Sequence, residues 1–202
     1  MKLYYVPGTC SQAAHIALRE AGLAFELDRM DPATRRTASG EDYLRANPKG
    51  SVPALRLDNG EVLTEAAVVL QYIADCKPES GLAPAAGGME RYRLMEWLNY
   101  VSSEVHKQIG PFFNPRLPAE WRENQLGVLG KRFDLLDARL RDRPYLMGER
   151  FSVADAYLFV VLSWTRRFKI DLAPWPALGD YLARIGARPA VQAALKAEGL
   201  MK

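Results

Sequence analysis

Lys2-Leu3-Tyr4-Tyr5-Val6-Pro7-Gly8-Thr9-Cys10-Ser11 is the stretch on which the fold turns. Lys2 to Val6 is a short β-rich run, Pro7-Gly8-Thr9 a turn, and Cys10 or Ser11 can cap a helix. That helix runs to Glu20, with Ala14, Leu18 and Ala21 at helical spacing, and Gly22 stops it. Phe25-Glu26-Leu27-Asp28 then alternates as a half-buried strand does. A strand, a helix and a strand in this order imply a parallel pair joined by a right-handed crossover.

Further on, the polar segment from Asp31 to Arg45 predicts a loop with an irregular helix. After the turn Asn47-Pro48-Lys49-Gly50, the runs Ala54-Leu55-Arg56-Leu57 and Glu61-Val62-Leu63 flank Asp58-Asn59-Gly60, a strong hairpin signal. Thr64-Glu65 opens another helix through Asp75. The order βαβ-α-ββα, closed by a hairpin, predicts a mixed sheet. Pro78, Gly81, Pro84, Gly87 and Gly88 mark a linker, and everything after it reads as helix. The organisation predicted is an α/β unit over residues 1–80, a linker at 81–87 and an all-α unit over 88–202. In the latter, Leu94, Leu98, Val101 and Val105 form one apolar stripe, and Leu126, Leu129, Phe133, Leu136 and Leu140 a second. Ser152-Val153-Ala154-Asp155 has the form of an N-terminal cap. It opens a helix from Ala154 to Trp164 that is apolar on all sides and so predicted to lie in the core.

Composition narrows the function classes. The 202 residues are 49% hydrophobic and 25% charged, which excludes a disordered chain, a collagen-like repeat and a disulfide scaffold. No apolar run reaches the roughly 18 residues of a membrane span, and the N-terminus is too short an apolar stretch for a signal peptide, so the cytoplasm is the expected location. Residues 1–80 carry 9 Lys and Arg against 11 Asp and Glu, whereas residues 81–202 carry 18 against 13. The basic pairs Arg35-Arg36, Lys131-Arg132 and Arg166-Arg167 are too dispersed for a nucleic-acid surface. Two cysteines and two histidines without a CxxC pair argue against a zinc site, since all four would have to converge on it.

Four features could carry chemistry. Cys10 sits at a helix start, where the free N–H groups favour thiolate, so its pKa is expected below the free-thiol value of about 8.5. Cys76, near the end of an apolar helix, reads as an ordinary buried cysteine. Glu65 opens a helix, a place where N–H groups can hold a ligand carboxylate while the side chain accepts an ammonium, which suits an amino-acid moiety. Val52-Pro53 precedes a strand and is a candidate cis bond, although a trans proline starting an edge strand has the same spacing. Asn99, Ser103 and His106, at i, i+4 and i+7, are predicted to share one helix face, either functional or plain surface. Tyr5 reads as a strand core aromatic.

Taken together these features resemble the glutathione S-transferase family, the bacterial beta class most of all. The resemblance rests on Lys2-Leu3-Tyr4-Tyr5-x-Pro7-Gly8-x-Cys10-Ser11, Asn47-Pro48-Lys49-Gly50-x-Val52-Pro53-Ala54-Leu55, Leu63-Thr64-Glu65 and Glu96-Trp97-Leu98-Asn99. Glu104-x-His106-Lys107 and Phe151-Ser152-x-Ala154-Asp155-Ala156-Tyr157-Leu158 complete it. It implies a thioredoxin-like N-terminal domain, an all-helical C-terminal domain, a homodimer, and conjugation of the glutathione thiol to hydrophobic electrophiles, with glutathione as co-substrate and no other cofactor. It also implies that Cys10 faces the glutathione sulfur. Val52, before a cis Pro53, would pair with the cysteinyl part, while Glu65 and the Ala66 N–H hold the γ-glutamyl end. Arg35 stands where the class has a lysine at the glycyl carboxylate, and Ala66 where it commonly has Gly or Ser. His106 would lie in the cleft near the sulfur, and Asn99 and Ser103 would reach the neighbouring subunit's site. Two alternatives stay open: a glutaredoxin-like thiol-disulfide oxidoreductase using Cys10, and a non-catalytic ligand-binding protein.

Overall fold

The apolar and aromatic run Leu3-Tyr4-Tyr5 does form a strand. The computed structural model describes residues 1–201. β1 (Lys2–Tyr5), α1 (Ser11–Glu20) and β2 (Glu26–Arg29) are followed by the one-turn α2 (Tyr43–Ala46), β3 (Ala54–Arg56), β4 (Val62–Thr64) and α3 (Ala66–Asp75). The four strands lie in the order β2-β1-β3-β4. β1 runs parallel to β2, with Leu3 opposite Leu27, and antiparallel to β3, with Leu3 opposite Leu55; the hairpin sets Leu55 against Leu63. The sheet is therefore mixed.

Alternation along β1 divides the core. Leu3 and Tyr5 enter the main cluster with α1 and α3. Tyr4 points to the other face, where it packs with Met30, Tyr43 and Ala54. Above Tyr4, Glu41 accepts from Lys2 (2.6 Å), from the Tyr4 hydroxyl (2.7 Å) and from both terminal nitrogens of Arg56 (3.1 Å). Lys2 and Tyr4 are the chief donors that hold its carboxyl down at about 2, against the opposing effect of burial.

Residues 81–88 carry no helix or strand. Across them Arg91 donates to both Asp75 oxygens (2.8 and 2.6 Å) and to the Pro84 carbonyl (3.1 Å), tying the end of α3 to the next helix. Then come α4 (Met89–Tyr100), a π-helical turn (Val101–His106), the short α5 (Lys107–Ile109), α6 (Ala119–Leu140), α7 (Val153–Phe168), α8 (Pro176–Gly186) and α9 (Pro189–Ala197). α7 is the central helix of this part, buried from Val153 through Leu162, and it packs against α1 and α3. Each fully buried Val, Leu or Phe there is worth about 1.5–3 kcal/mol, so a charge at Val160 would break the packing. Its start is fixed by Asp155, which accepts from the Ser152 N–H (2.9 Å) and hydroxyl (2.7 Å), the Leu146 N–H (2.8 Å) and the Tyr181 hydroxyl (3.1 Å). Among the described residues no helix is long and apolar enough to cross a membrane.

Candidate active site

The turn between β1 and α1 is where chain geometry and chemistry meet. Gly8 takes φ +68°, a conformation that glycine adopts without the Cβ penalty. Both its backbone groups are bound: its N–H donates to Glu198 (2.9 Å) and its carbonyl accepts from the Trp164 indole (2.8 Å). Glu198 also accepts from Gln12 (2.9 Å) and from His15 Nδ1 (2.8 Å), while Arg19 donates to His15 Nε2 (2.8 Å). Its side chain is fully buried. A carboxylate from the last part of the chain thus holds the turn that carries Cys10.

Cys10 is the N-cap residue of α1, but its side chain does not cap the helix. Nor does Ser11, whose hydroxyl takes up the Val6 N–H (3.1 Å). The Cys10 sulfur instead donates to the Val52 carbonyl at 3.1 Å, across a Val52-Pro53 bond that is cis. Burial pushes this thiol up to about 11, although the Cys10 and Ser11 backbone N–H groups favour its thiolate. The lowered pKa expected from the helix start is therefore corrected: desolvation outweighs the helix end. The reading of Cys76 is corrected too, because α3 ends at Asp75 and leaves Cys76 exposed.

Glu65 stands between β4 and α3 with φ +69° and ψ +117°, a strained conformation for a residue with a Cβ. Its carboxylate meets Lys49 at 2.7 Å, and Lys49 also donates to the Thr64 hydroxyl at 3.0 Å. Ala66, buried, supplies the first N–H of α3. Arg35, also at positive φ, donates to the Gly50 carbonyl at 2.6 Å, two residues from Val52. Cys10, Val52, Glu65, Ala66 and Arg35 thus border one edge of the first unit.

The other wall comes from the helical part. His106 lies within hydrogen-bonding distance of the Tyr157 hydroxyl (Nδ1 to oxygen, 2.7 Å) and edge-on to Trp164 (ring centroids 5.0 Å apart). Trp164 meets Phe113, which meets Phe168, both edge-on at 5.0 and 4.7 Å. Burial, aided by the neighbouring Lys107, brings His106 down to about 4, so it is neutral at pH 7. The predicted common face of Asn99, Ser103 and His106 does not hold. The π turn widens the helix between them, leaving Asn99 and Ser103 exposed, with the Ser103 hydroxyl on the Asn99 carbonyl (3.0 Å), while His106 is half-buried. Tyr5 is buried in the core, as its strand position predicts. The sequence pattern assigns no role to Lys49, Trp164 or Glu198, because their partners lie at least 15 residues away in the chain.

A glutathione S-transferase N-terminal domain model matches residues 8–76, and a glutathione S-transferase C-terminal domain model matches residues 100–189. The chain belongs to the glutathione S-transferase family. Glutathione S-transferase GstA of Escherichia coli O157:H7 is 43% identical over 200 residues, covering 99% of this chain and all of that one. A sphingomonad glutathione S-transferase solved in complex with glutathione is 50% identical, with a TM-score of 0.96 and full coverage of both chains. The bacterial beta class glutathione S-transferase of Sphingomonas chungbukensis is 49% identical, with a TM-score of 0.95 over the whole of both chains. Within the transferase family this chain is thus most like the beta class, and its thioredoxin-like unit is the one that bears Cys10.

Proposed function

We propose that this protein binds glutathione along the edge formed by Val52, Glu65 and Arg35 and transfers its thiol to hydrophobic electrophiles, acting as a cytoplasmic homodimer. The observation that carries the reading is the Cys10 sulfur donating to the Val52 carbonyl at 3.1 Å, on the same edge as the strained Glu65. An extended peptide laid against Val52 pairs with its main chain and brings a cysteinyl sulfur to Cys10. Glu65 receives the γ-glutamyl ammonium in competition with Lys49, the Ala66 N–H its carboxylate, and Arg35 the glycyl carboxylate.

A Cys10 thiol that stays protonated at neutral pH is a hydrogen-bond donor rather than a nucleophile. This favours transfer over disulfide exchange at Cys10. The glutathione thiolate is then stabilised by donors of the cleft and attacks an electrophilic carbon held against the Phe113 and Trp164 wall. With an aryl chloride the sulfur forms the new C–S bond, chloride leaves with the C–Cl electron pair, and the thiol proton goes to solvent. Apolar contacts discriminate weakly, so a broad range of electrophiles is expected. Glutathione is the co-substrate and no further cofactor enters.

The test is a comparison of 1-chloro-2,4-dinitrobenzene conjugation with hydroxyethyl-disulfide reduction, in the wild type and in Cys10→Ala. Conjugation that survives in the variant, reduced about 2- to 10-fold for one neutral hydrogen bond, supports transfer. Reduction that dominates and vanishes with Cys10 moves the protein to the oxidoreductases. Neither activity, with glutathione bound, makes it a binding protein. The dimer is supported by an exposed row on α4, Met89, Tyr92 and Met95, which continues into the exposed Asn99 and Ser103. Light scattering should give twice the 22.6 kDa chain mass.

A further inference from the structure

Tyr157, buried on α7, faces the π turn. Its hydroxyl is 2.7 Å from His106 Nδ1, which among the described residues is the one acceptor within hydrogen-bonding distance of the phenol proton. The rings of Tyr157 and His106 stand nearly perpendicular, at 86° and 5.8 Å. Burial pushes the Tyr157 hydroxyl well up, with the nearby Cys10 and Glu65 charges adding to it, so the phenol keeps its proton. A π turn commonly marks a functional site, and here it carries His106 to the Tyr157 hydroxyl.

The pair can be joined in two ways. In one, Tyr157 donates to His106 Nδ1, and the imidazole proton sits on Nε2. In the other, the bond is reversed and Nε2 is a bare acceptor. The second arrangement makes His106 a base toward the glutathione thiol. A ring whose burial resists a charge is unsuited to hold that proton. The first arrangement presents an N–H donor, which stabilises a thiolate without becoming charged.

We propose that Tyr157 is a positioning residue that donates to His106 Nδ1 and so fixes His106 as an Nε2–H donor toward the reacting glutathione sulfur. The inference rests on the transferase reading and deepens it.

The chain has two histidines, His15 and His106, so a sample labelled with 15N-histidine gives two ring spin systems. His15 is an internal reference of opposite sense. Arg19 donates to its Nε2, and so Nδ1 carries its proton toward Glu198. The wild type should show His15 protonated on Nδ1 and His106 protonated on Nε2. In Tyr157→Phe, His106 should populate both tautomers, and kcat for 1-chloro-2,4-dinitrobenzene should fall about 3- to 10-fold with KM for glutathione held within about 2-fold, as for one lost hydrogen bond. His106 protonated on Nδ1 in the wild type overturns the inference, and this measurement needs no variant to fold. So does a Tyr157→Phe protein that keeps both the wild-type tautomer and the wild-type kcat. A wild type that conjugates but fails these marks overturns this inference alone. One that conjugates no electrophile overturns the transferase reading, and this inference with it.

Discussion

Replacing Glu65 by Gly and by Ala should separate what its side chain does from what its backbone costs. Both variants lose the carboxylate and its 2.7 Å contact with Lys49, a surface pair worth at most about 1 kcal/mol. They differ in how they tolerate φ +69° and ψ +117°. A residue with a Cβ pays about 1–3 kcal/mol to stay there. Glycine avoids that strain, but its freer unfolded chain gives back about 0.4–1 kcal/mol. The Gly variant should therefore be the more stable of the two by about 1–2 kcal/mol. At about 2–4 °C per kcal/mol for a chain of this size, calorimetric unfolding should show a higher Tm for Gly than for Ala by several degrees. Glutathione affinity should fall alike in both, by about 10- to 150-fold, the loss of a charged hydrogen bond of about 1.5–3 kcal/mol. An Ala variant as stable as the Gly variant would refute the strain argument, and unchanged affinity in either would refute the role of the carboxylate.

Three other outcomes follow from the same geometry. Glu198→Ala leaves the Gly8 N–H, Gln12 and His15 without their buried acceptor and should cost about 3–5 kcal/mol, read as a lower urea midpoint at unchanged m. Alkylation by iodoacetamide between pH 7 and 9 should be fast at the exposed Cys76 and slow at Cys10, whose thiol lies up at about 11; a slow phase that disappears in Cys76→Ser rather than in Cys10→Ala would contradict this. Glu41, held at about 2 against an ordinary value of 4.5, stabilises the fold fully above pH 4.5 and loses that contribution as pH falls toward 2. With a third of its side chain exposed, solvent screening reduces the gain to about 1–2 kcal/mol. Urea titrations should show Glu41→Gln less stable than the wild type at pH 7, with the gap closing between pH 4.5 and 2.

Local chemistry made much of this molecule legible. Gly8 and Gly22 punctuate the first helix as glycines do, Asn59-Gly60 marks the hairpin, and Ser152 with Asp155 announces α7 three residues apart. Cys10 and Glu65 could be picked out because helix starts advertise themselves. What escaped was non-local. Burial raises the Cys10 thiol, and its surroundings include the carbonyl of Val52, 42 residues on. Cys76 kept the period of Val69 and Ile73 after the helix itself had stopped. Asn99, Ser103 and His106 share a face only if every turn has 3.6 residues, and nothing in Val101–His106 betrays the wider one.

The hydrogen bond from Gly8 to Glu198 also has a bearing on synthesis. It spans 190 residues. On the ribosome, the strands and helices of the first 76 residues emerge and can pair long before Glu198 exists. The turn that bears Cys10 is then without the carboxylate that anchors it, and Trp164, which holds the other side of Gly8, is likewise still unmade. A nascent chain can therefore own Cys10, Val52 and Glu65 and yet lack the finished loop, which is complete only once Trp164 and Glu198 have both been made.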